Sequence, residues 1–245
     1  MKTPCNLLSA LALTLAIATI YSATTKEARS PQMLVSQTVQ AATLADKNPW
    51  ENLLGKVVVP KGWEIKPCEG EAPFLCVSSN QRSLGSVELN IYPLTQQTAF
   101  QRMLAQVGVP AGASDYGEAI HQSQVLVALQ TWVDEHYTVI GKDRQGIYGQ
   151  GGKFQPWKPA VAQVGQLKGL LYGFKGRDRT GKVQEYQIGY VAFDGKQLYV
   201  ITTALDLEGL PGGFKSWQHL QQFEPYLTRI VAGLRLPVHQ MPALP

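Results

Sequence analysis

Three strand-like segments separated by glycine turns, between Gly165 and Ala204, constrain the fold of this chain more than any other feature. The segments span residues 165–175, 183–193 and 197–204. The turns between them contain Gly181 and Gly195, and glycine adopts the positive φ that tight hairpin turns require. Because strands joined by short turns pair antiparallel, the sequence predicts an antiparallel meander.

Further strands are predicted before the meander. Apolar Val87, Leu89 and Ile91 alternate with polar neighbours, which is typical of a half-buried strand. Shorter apolar runs at residues 56–59 and 74–77 predict two more strands, the first followed by a turn at Pro60 to Trp63.

Apolar residues at helical spacing predict three helices. Thr95 is placed to cap the first, and Pro225 would break or restart the last. A short strand over residues 137–140 is predicted directly after the second helix. The predicted helices cover residues 95–107, 118–136 and 216–234.

The order of these elements is strands, helices, strands and a helix. The chain has 245 residues, of which 44% are hydrophobic and 16% charged, enough to build one sizeable core. The sequence therefore predicts a single α+β domain over residues 50–245, a mainly antiparallel β-sheet covered by helices.

This layout resembles the Mog1/PsbP-like α/β/α sandwich family. The likeness rests on the opening Val57-Val58-Val59-Pro60-Lys61-Gly62-Trp63, the three-strand meander, and the closing Phe223-Glu224-Pro225-Tyr226-Leu227-Thr228-Arg229-Ile230-Val231. It covers most of residues 50–236. The resemblance implies a non-catalytic accessory or assembly protein, in photosynthetic bacteria often facing the thylakoid lumen. No functional residue is carried over from the family.

The N-terminal segment has the pattern of a secretory signal. Lys2 precedes an apolar run from Leu7 to Ile20, and Ala23 is the expected cleavage point. Tyr21 is bulky for such a site, so an uncleaved anchor is the alternative. Residues 24–49 are rich in Thr, Ser, Gln and Ala without a period, which predicts a flexible spacer. We expect an exported protein of the periplasm or thylakoid lumen.

Removing residues 1–23 discards Cys5 and leaves Cys68 and Cys76, which lie on either side of a turn. In an oxidising compartment we expect this pair to form a disulfide. The alternatives are two free thiols and, with no histidine nearby, a less suitable metal site.

Two glycine-containing motifs do not meet the requirements of catalytic loops. The run from Gly146 to Lys153 lacks the glycine spacing and the Ser or Thr of a phosphate-binding loop. The run Gly112 to Gly117 is one residue from the nucleophile elbow but lies between predicted helices, where Ser114 or Asp115 would cap a helix. No cofactor and no metal site is predicted.

Asp134-Glu135-His136 is the strongest catalytic candidate, because a carboxylate can orient an imidazole that titrates near neutrality. On a helix, adjacent side chains point in different directions, which favours a solvated helix end. On a strand, Asp134 and His136 would share a face. The remaining histidines, His121, His219 and His239, have no ligand spacing.

Charge is concentrated in the middle of the chain. Residues 142–182 carry a net charge of +7, whereas residues 50–141 carry −4 and residues 183–245 carry −1. Aromatic side chains are interleaved with these bases. They are Tyr148, Phe154, Trp157, Tyr172 and Phe174.

Cations beside aromatic rings bind anionic surfaces through charge and apolar area. We therefore predict a partner-binding segment on an acidic protein face or an anionic membrane or wall surface. Nucleic acid is excluded by the expected export and by an overall net charge of only +4. The alternative is an ordinary soluble hairpin with its aromatics in the core. The predicted binding residues are Lys153, Trp157, Lys158, Lys175, Arg177, Arg179 and Lys182.

The leading functional hypothesis is a non-enzymatic exported accessory protein that docks through this segment. One alternative is an exported hydrolase that uses His136 with a carboxylate. Another is a small-molecule binding module with a cleft lined by Trp132 and Trp157.

Overall fold

The computed structural model describes residues 48–70, 72–109, 119–206, 213–214 and 216–237. All of them belong to one compact unit. The predicted signal or uncleaved anchor lies outside the described residues, as do residues 24–47 of the predicted spacer, the capping candidates Ser114 and Asp115, and the histidine at position 239. The last two spacer residues, Asn48 and Pro49, are described, and Asn48 is buried in the domain rather than part of a spacer.

The described residues form four α-helices and eight β-strands. The helices are α1 (Trp50–Leu53), α2 (Thr98–Gln106), α3 (Ala119–Ile147) and α4 (Trp217–Ala232). The strands are β1 (Trp63–Pro67), β2 (Phe74–Ser79), β3 (Arg82–Pro93), β4 (Lys153–Pro156), β5 (Ala160–Val164), β6 (Leu167–Arg177), β7 (Val183–Phe193) and β8 (Gln197–Asp206).

The strands form one antiparallel sheet in the order β1-β2-β3-β8-β7-β6-β4, and β5 also pairs with β6. The meander β6-β7-β8 is confirmed. Its two turns use Gly181 at φ 84° and Gly195 at φ 100°, as the glycine pattern predicts. Strand β3 joins the meander by pairing with β8.

Side-chain alternation along β7 divides the core into two layers. Tyr186, Ile188 and Tyr190 pack with α1 and α4 on one side of the sheet, which we call the α4 face. Val191 and Phe193 pack with α2 and α3 on the other side, the α3 face. The result is an α+β domain with an antiparallel sheet between two helical layers, which confirms the predicted fold class.

Two predicted strands are wrong. Residues 56–59 form no strand, and β1 begins only at Trp63. Residues 137–140 lie within α3, which continues to Ile147. The helix continues because Leu129, Val133 and Tyr137, spaced four residues apart, are all buried against the sheet.

Three boundaries also differ from the prediction. Thr95 lies in a short 3₁₀ turn, and α2 begins at Thr98. No strand is predicted at residues 153–156, where strand β4 lies. Helix α4 runs through Pro225 without a break, because that proline is exposed and its missing N–H falls on the solvent side.

The predicted disulfide is confirmed. Cys68 and Cys76 are bonded, with their Cα atoms 5.1 Å apart. The Asn48 side-chain amide donates hydrogen bonds to the carbonyls of Cys68 and Phe74, and so ties the start of the described chain to this loop. The disulfide and the amide together fix the β1–β2 edge of the sheet.

None of the described helices combines the length and the apolar character needed to span a lipid bilayer.

Candidate functional site

The predicted binding residues lie along one edge of the sheet. In the β4–β6 pair, Lys153 lies opposite Arg177, and Gln155 lies opposite Lys175. Residues directly opposite each other in an antiparallel pair project from the same face. Lys175 packs on rings of the α4 face, so these four side chains project from that face.

Lys175 is held by aromatic rings. Its ammonium lies 5.3 Å from the centroid of the Tyr186 ring and 5.6 Å from that of the Trp217 ring. Trp157 and Trp217 both contact Tyr186, at centroid distances of 5.1 and 4.6 Å. Cation–π attraction of this kind fixes an otherwise flexible side chain. We call these four residues the Lys175 cluster.

The turn between β6 and β7 is internally hydrogen-bonded. The Asp178 carboxylate accepts bonds from the Thr180 amide and hydroxyl and from the Lys182 amide. These donors, first of all the Thr180 hydroxyl, lower the pKa of Asp178 to about 2. Arg177 donates to Gln155 Oε1 and to the Gly181 carbonyl. These bonds hold the turn backbone, Asp178 and Arg177 in a defined arrangement.

The predicted bases differ in exposure. Lys175 and Arg177 are half-buried; Lys175 lies over aromatic rings, and Arg177 is hydrogen-bonded within the protein. The four remaining predicted bases are exposed, namely Lys153, Lys158, Arg179 and Lys182. We call these six bases the basic edge.

Most of the interleaved aromatics lie on the opposite face of the sheet. Tyr148, Tyr172 and Phe174 are buried beneath α3, and Phe154 packs in the same layer. Trp157 alone among the five predicted aromatics lies on the α4 face, from which Lys153, Lys175 and Arg177 project. The apolar contribution to the site comes instead from Tyr186 and Trp217.

Arg144, one of the nine bases of the +7 segment, is neutralised within the fold. Its guanidinium donates to Glu185 at 2.8 Å and also contacts Asp143. Burial acts to lower the pKa of Arg144, but the bond to Glu185 and the nearby carboxylates outweigh it, so the pKa is raised. The Tyr148 hydroxyl donates to the same Glu185 at 2.6 Å. This buried group braces the end of α3 and is separate from the basic edge.

His136 lies in helix α3, stacked on Trp132 at 5.1 Å and edge-on to Tyr172 at 5.6 Å. Burial lowers its pKa from 6.5 to about 4. Asp134 and Glu135 are exposed, and the Asp134 carboxylate accepts a bond from Gln130. The helix thus directs the imidazole inward and the two carboxylates outward.

Trp132 and Trp157 lie on opposite faces of the sheet, so the cleft predicted between them is not formed. The described residues also bring together no group of three His, Cys, Asp or Glu side chains that would hold a metal ion.

Sequence reasoning missed two residues of the Lys175 cluster. Tyr186 lies directly opposite Lys175 in the β6–β7 pair. If residues of β6 and β7 are paired one by one outward from the Gly181 turn, the partner predicted for Lys175 is close to Tyr186 but is not Tyr186. The difference arises because the register shifts between Gly176 and Arg177. Trp217 comes from α4, and no local pattern connects it to β6.

Neither a protein-family model nor a curated protein matches this chain. Among solved structures, the chain is similar to the solution structure of cyanobacterial PsbP (CyanoP) from Synechocystis sp. PCC 6803. The similarity covers 80% of this chain and 95% of that one, with 8% sequence identity and a TM-score of 0.34. These values assign neither a family nor a function.

Proposed function

We propose that this chain is an exported, non-enzymatic accessory protein that docks through the basic edge on an acidic face of an envelope or photosynthetic-membrane protein. The proposal is carried by the basic edge. Lys153, Lys175 and Arg177 project from the α4 face at the Lys175 cluster. The other three bases, Lys158, Arg179 and Lys182, lie in the adjoining loop and turn. Export is supported by the Cys68–Cys76 disulfide, since disulfides persist in oxidising compartments.

The arrangement of the charges favours a protein partner over a lipid surface. Arg177 is fixed by Gln155 and the Gly181 carbonyl, so its guanidinium has a defined position for pairing with a carboxylate. Membrane-binding segments usually add apolar side chains that enter the bilayer. Val161, the large exposed apolar residue within 153–182, is 63% exposed and projects from the opposite face.

The test is co-sedimentation of the protein with membranes of its host at low and high salt. We expect binding that weakens as salt rises, because contacts between exposed charges are screened. Reversal of three exposed bases, K153E, R179E and K182E, should abolish binding. Arg177 is left unchanged because its bonds support the hairpin.

The matched control is the triple reversal K56E, K61E and R82E, which makes the same change in net charge at exposed sites outside the basic edge. It should bind as the unchanged protein does. Equal loss in both variants would show a nonspecific effect of net charge and would contradict the proposed site.

Protein and lipid partners are separated by treating the membranes with protease and, in parallel, by using protein-free vesicles of anionic phospholipid. A protein partner predicts loss of binding after protease and no binding to the vesicles. Equal binding to vesicles would replace the acidic protein with a lipid surface.

A further inference from the structure

Three buried polar atoms on the α3 face have no hydrogen-bond partner among the described residues. They are His136 Nε2, Tyr172 Oη and Gln187 Oε1. Folded proteins pair nearly all buried polar groups, since an unpaired one costs about 1–3 kcal/mol. Three such atoms in one layer therefore require an explanation.

Strand register places the three side chains in the same region. Tyr172 lies opposite Gly189, and a Cβ at position 189 would approach the ring carbon that carries the Tyr172 hydroxyl to 2.5 Å. The absence of a side chain at Gly189 lets the ring lie across β7, with its hydroxyl directed towards β8. Gln187 is two residues from Gly189 on the same face of β7, and His136 contacts the Tyr172 ring from above.

Aromatic rings surround this region. The His136 and Trp132 rings are nearly parallel, at an interplanar angle of 11°. The Tyr172 ring is almost perpendicular to both, with its centroid 6.0 Å from that of Trp132 and 5.6 Å from that of His136. The faces of such rings attract cations.

One carboxylate, that of Glu88, lies on the same face of the sheet as the site. Glu88 of β3 lies opposite Thr202 of β8, and Thr202 lies opposite Gly189 of β7. The Glu88 side chain projects from the α3 face, because its neighbours Val87 and Leu89 pack on the α4 face. Burial, followed by Glu88, raises the pKa of Tyr92 to about 12. Burial also raises the pKa of Tyr172, with Glu88 among the further causes and no lysine or arginine opposing it. Because burial holds the pKa of His136 at about 4, its imidazole is neutral at neutral pH.

We propose that His136, Tyr172 and Gln187 form a binding site for the primary ammonium group of a small organic amine. The three atoms match an ammonium because each can accept one of its three N–H bonds. Gln187 Oε1 is an acceptor only, and His136 Nε2 accepts when Nδ1 carries the proton. Trp132, whose ring is nearly parallel to that of His136, supplies cation–π attraction. Glu88 adds a carboxylate on the same face of the sheet.

On the α4 face, the protein already pairs an ammonium group of its own with aromatic rings. There the Lys175 ammonium lies over Tyr186 and Trp217. The amine site lies on the other side of the sheet from the basic edge, so it does not depend on the proposed docking function.

The experiment compares n-butylammonium with n-butanol, a neutral molecule of similar shape, by calorimetric titration and by thermal unfolding. Butylammonium should bind and raise the unfolding midpoint with concentration, because a ligand of the folded state stabilises it. Butanol should do neither. Absence of binding by butylammonium, or equal binding by butanol, would overturn the proposal.

Variants test the assigned atoms. Q187L removes an acceptor at nearly constant volume and should weaken butylammonium binding about tenfold, the effect of losing one hydrogen bond to a charged group. H136F keeps the ring stack and should weaken binding similarly. The control Q163L, on an exposed glutamine of β5, should bind as the unchanged protein does. Unchanged affinity in both Q187L and H136F would contradict the assignment.

Discussion

The two faces of the sheet are both covered by helices, but they treat buried polar groups differently. On the α4 face, the Tyr190 hydroxyl bonds to Thr228 at 2.9 Å, the Tyr199 hydroxyl donates to Asp194 at 2.8 Å, and Trp50 Nε1 donates to the Pro73 carbonyl. On the α3 face, the three atoms of the proposed amine site have no such partner within the part of the chain that the structure describes. Two layers with similar apolar packing can therefore differ in whether their buried polar atoms are hydrogen-bonded: among the described residues, the atoms without a partner all lie on the α3 face.

The largest expected effect tests whether the apolar layers are equivalent. Phe223 on the α4 face and Phe100 on the α3 face are both fully buried. Each replacement, F223A and F100A, should lower the free energy of unfolding by about 3–5 kcal/mol in urea denaturation, through lost contacts and a residual cavity. A loss below about 1 kcal/mol in either variant would show that its layer is not a packed core.

The pH dependence of stability tests the α3 face alone. The folded-state pKa of His136 lies near 4, below the ordinary value of 6.5, so the unfolded chain binds a proton that the folded one does not. Stability should be complete above pH 6.5 and fall as the pH drops from 6.5 to 4. The difference corresponds to at most about 3 kcal/mol.

Urea unfolding at a series of pH values measures this effect, and H136F should remove that part of the slope. A variant curve as steep as that of the unchanged protein would assign the slope to other groups.

Removing the disulfide by mutation tests how much the β1–β2 edge of the sheet contributes to stability. The bond closes a loop between residues eight apart, which restricts the unfolded chain. C68A/C76A should cost about 2–3 kcal/mol in urea denaturation. Since the bond lies far along the sheet from β6, butylammonium affinity should be unchanged. A parallel loss of amine binding would show that the two faces are coupled.

The smallest expected change in stability comes from removing one tyrosine hydroxyl on each face, which compares the two faces directly. Y190F removes the bond to Thr228 and should destabilise by about 1 kcal/mol. Y172F removes a buried hydroxyl without a partner, so it should be neutral or stabilising in the absence of amine. Equal losses in both variants, measured by urea denaturation, would show that the Tyr172 hydroxyl is partnered in solution.

Local patterns were sufficient to predict the meander, the disulfide and the two helical layers. Period-two alternation and the turn glycines Gly181 and Gly195 determine which strands are neighbours. The extent of α3 was not predictable locally, because Tyr137 and its β-branched neighbours have strand propensity and only packing on the sheet favours the helix.

The candidate sites were partly predictable. The basic edge follows from counting charges, but Trp217 and the Arg144–Glu185 pair depend on tertiary contacts between distant segments. The sequence identifies His136 as a candidate catalytic group. Its role in the proposed amine site depends on burial beside Tyr172 and Gln187, which lie on two different strands.

The pairing of β3 with β8 has a consequence for the order of folding. It brings Ser86 and Thr203 together although they are 117 positions apart in the chain, whereas the meander closes through turns of a few residues. Closing a long loop is slow because chain entropy is lost before the contact is gained. We therefore expect β6, β7 and β8 to assemble first and β1, β2 and β3 to dock last. Until β3 docks, the backbone hydrogen-bonding groups along one edge of β8 remain unpaired.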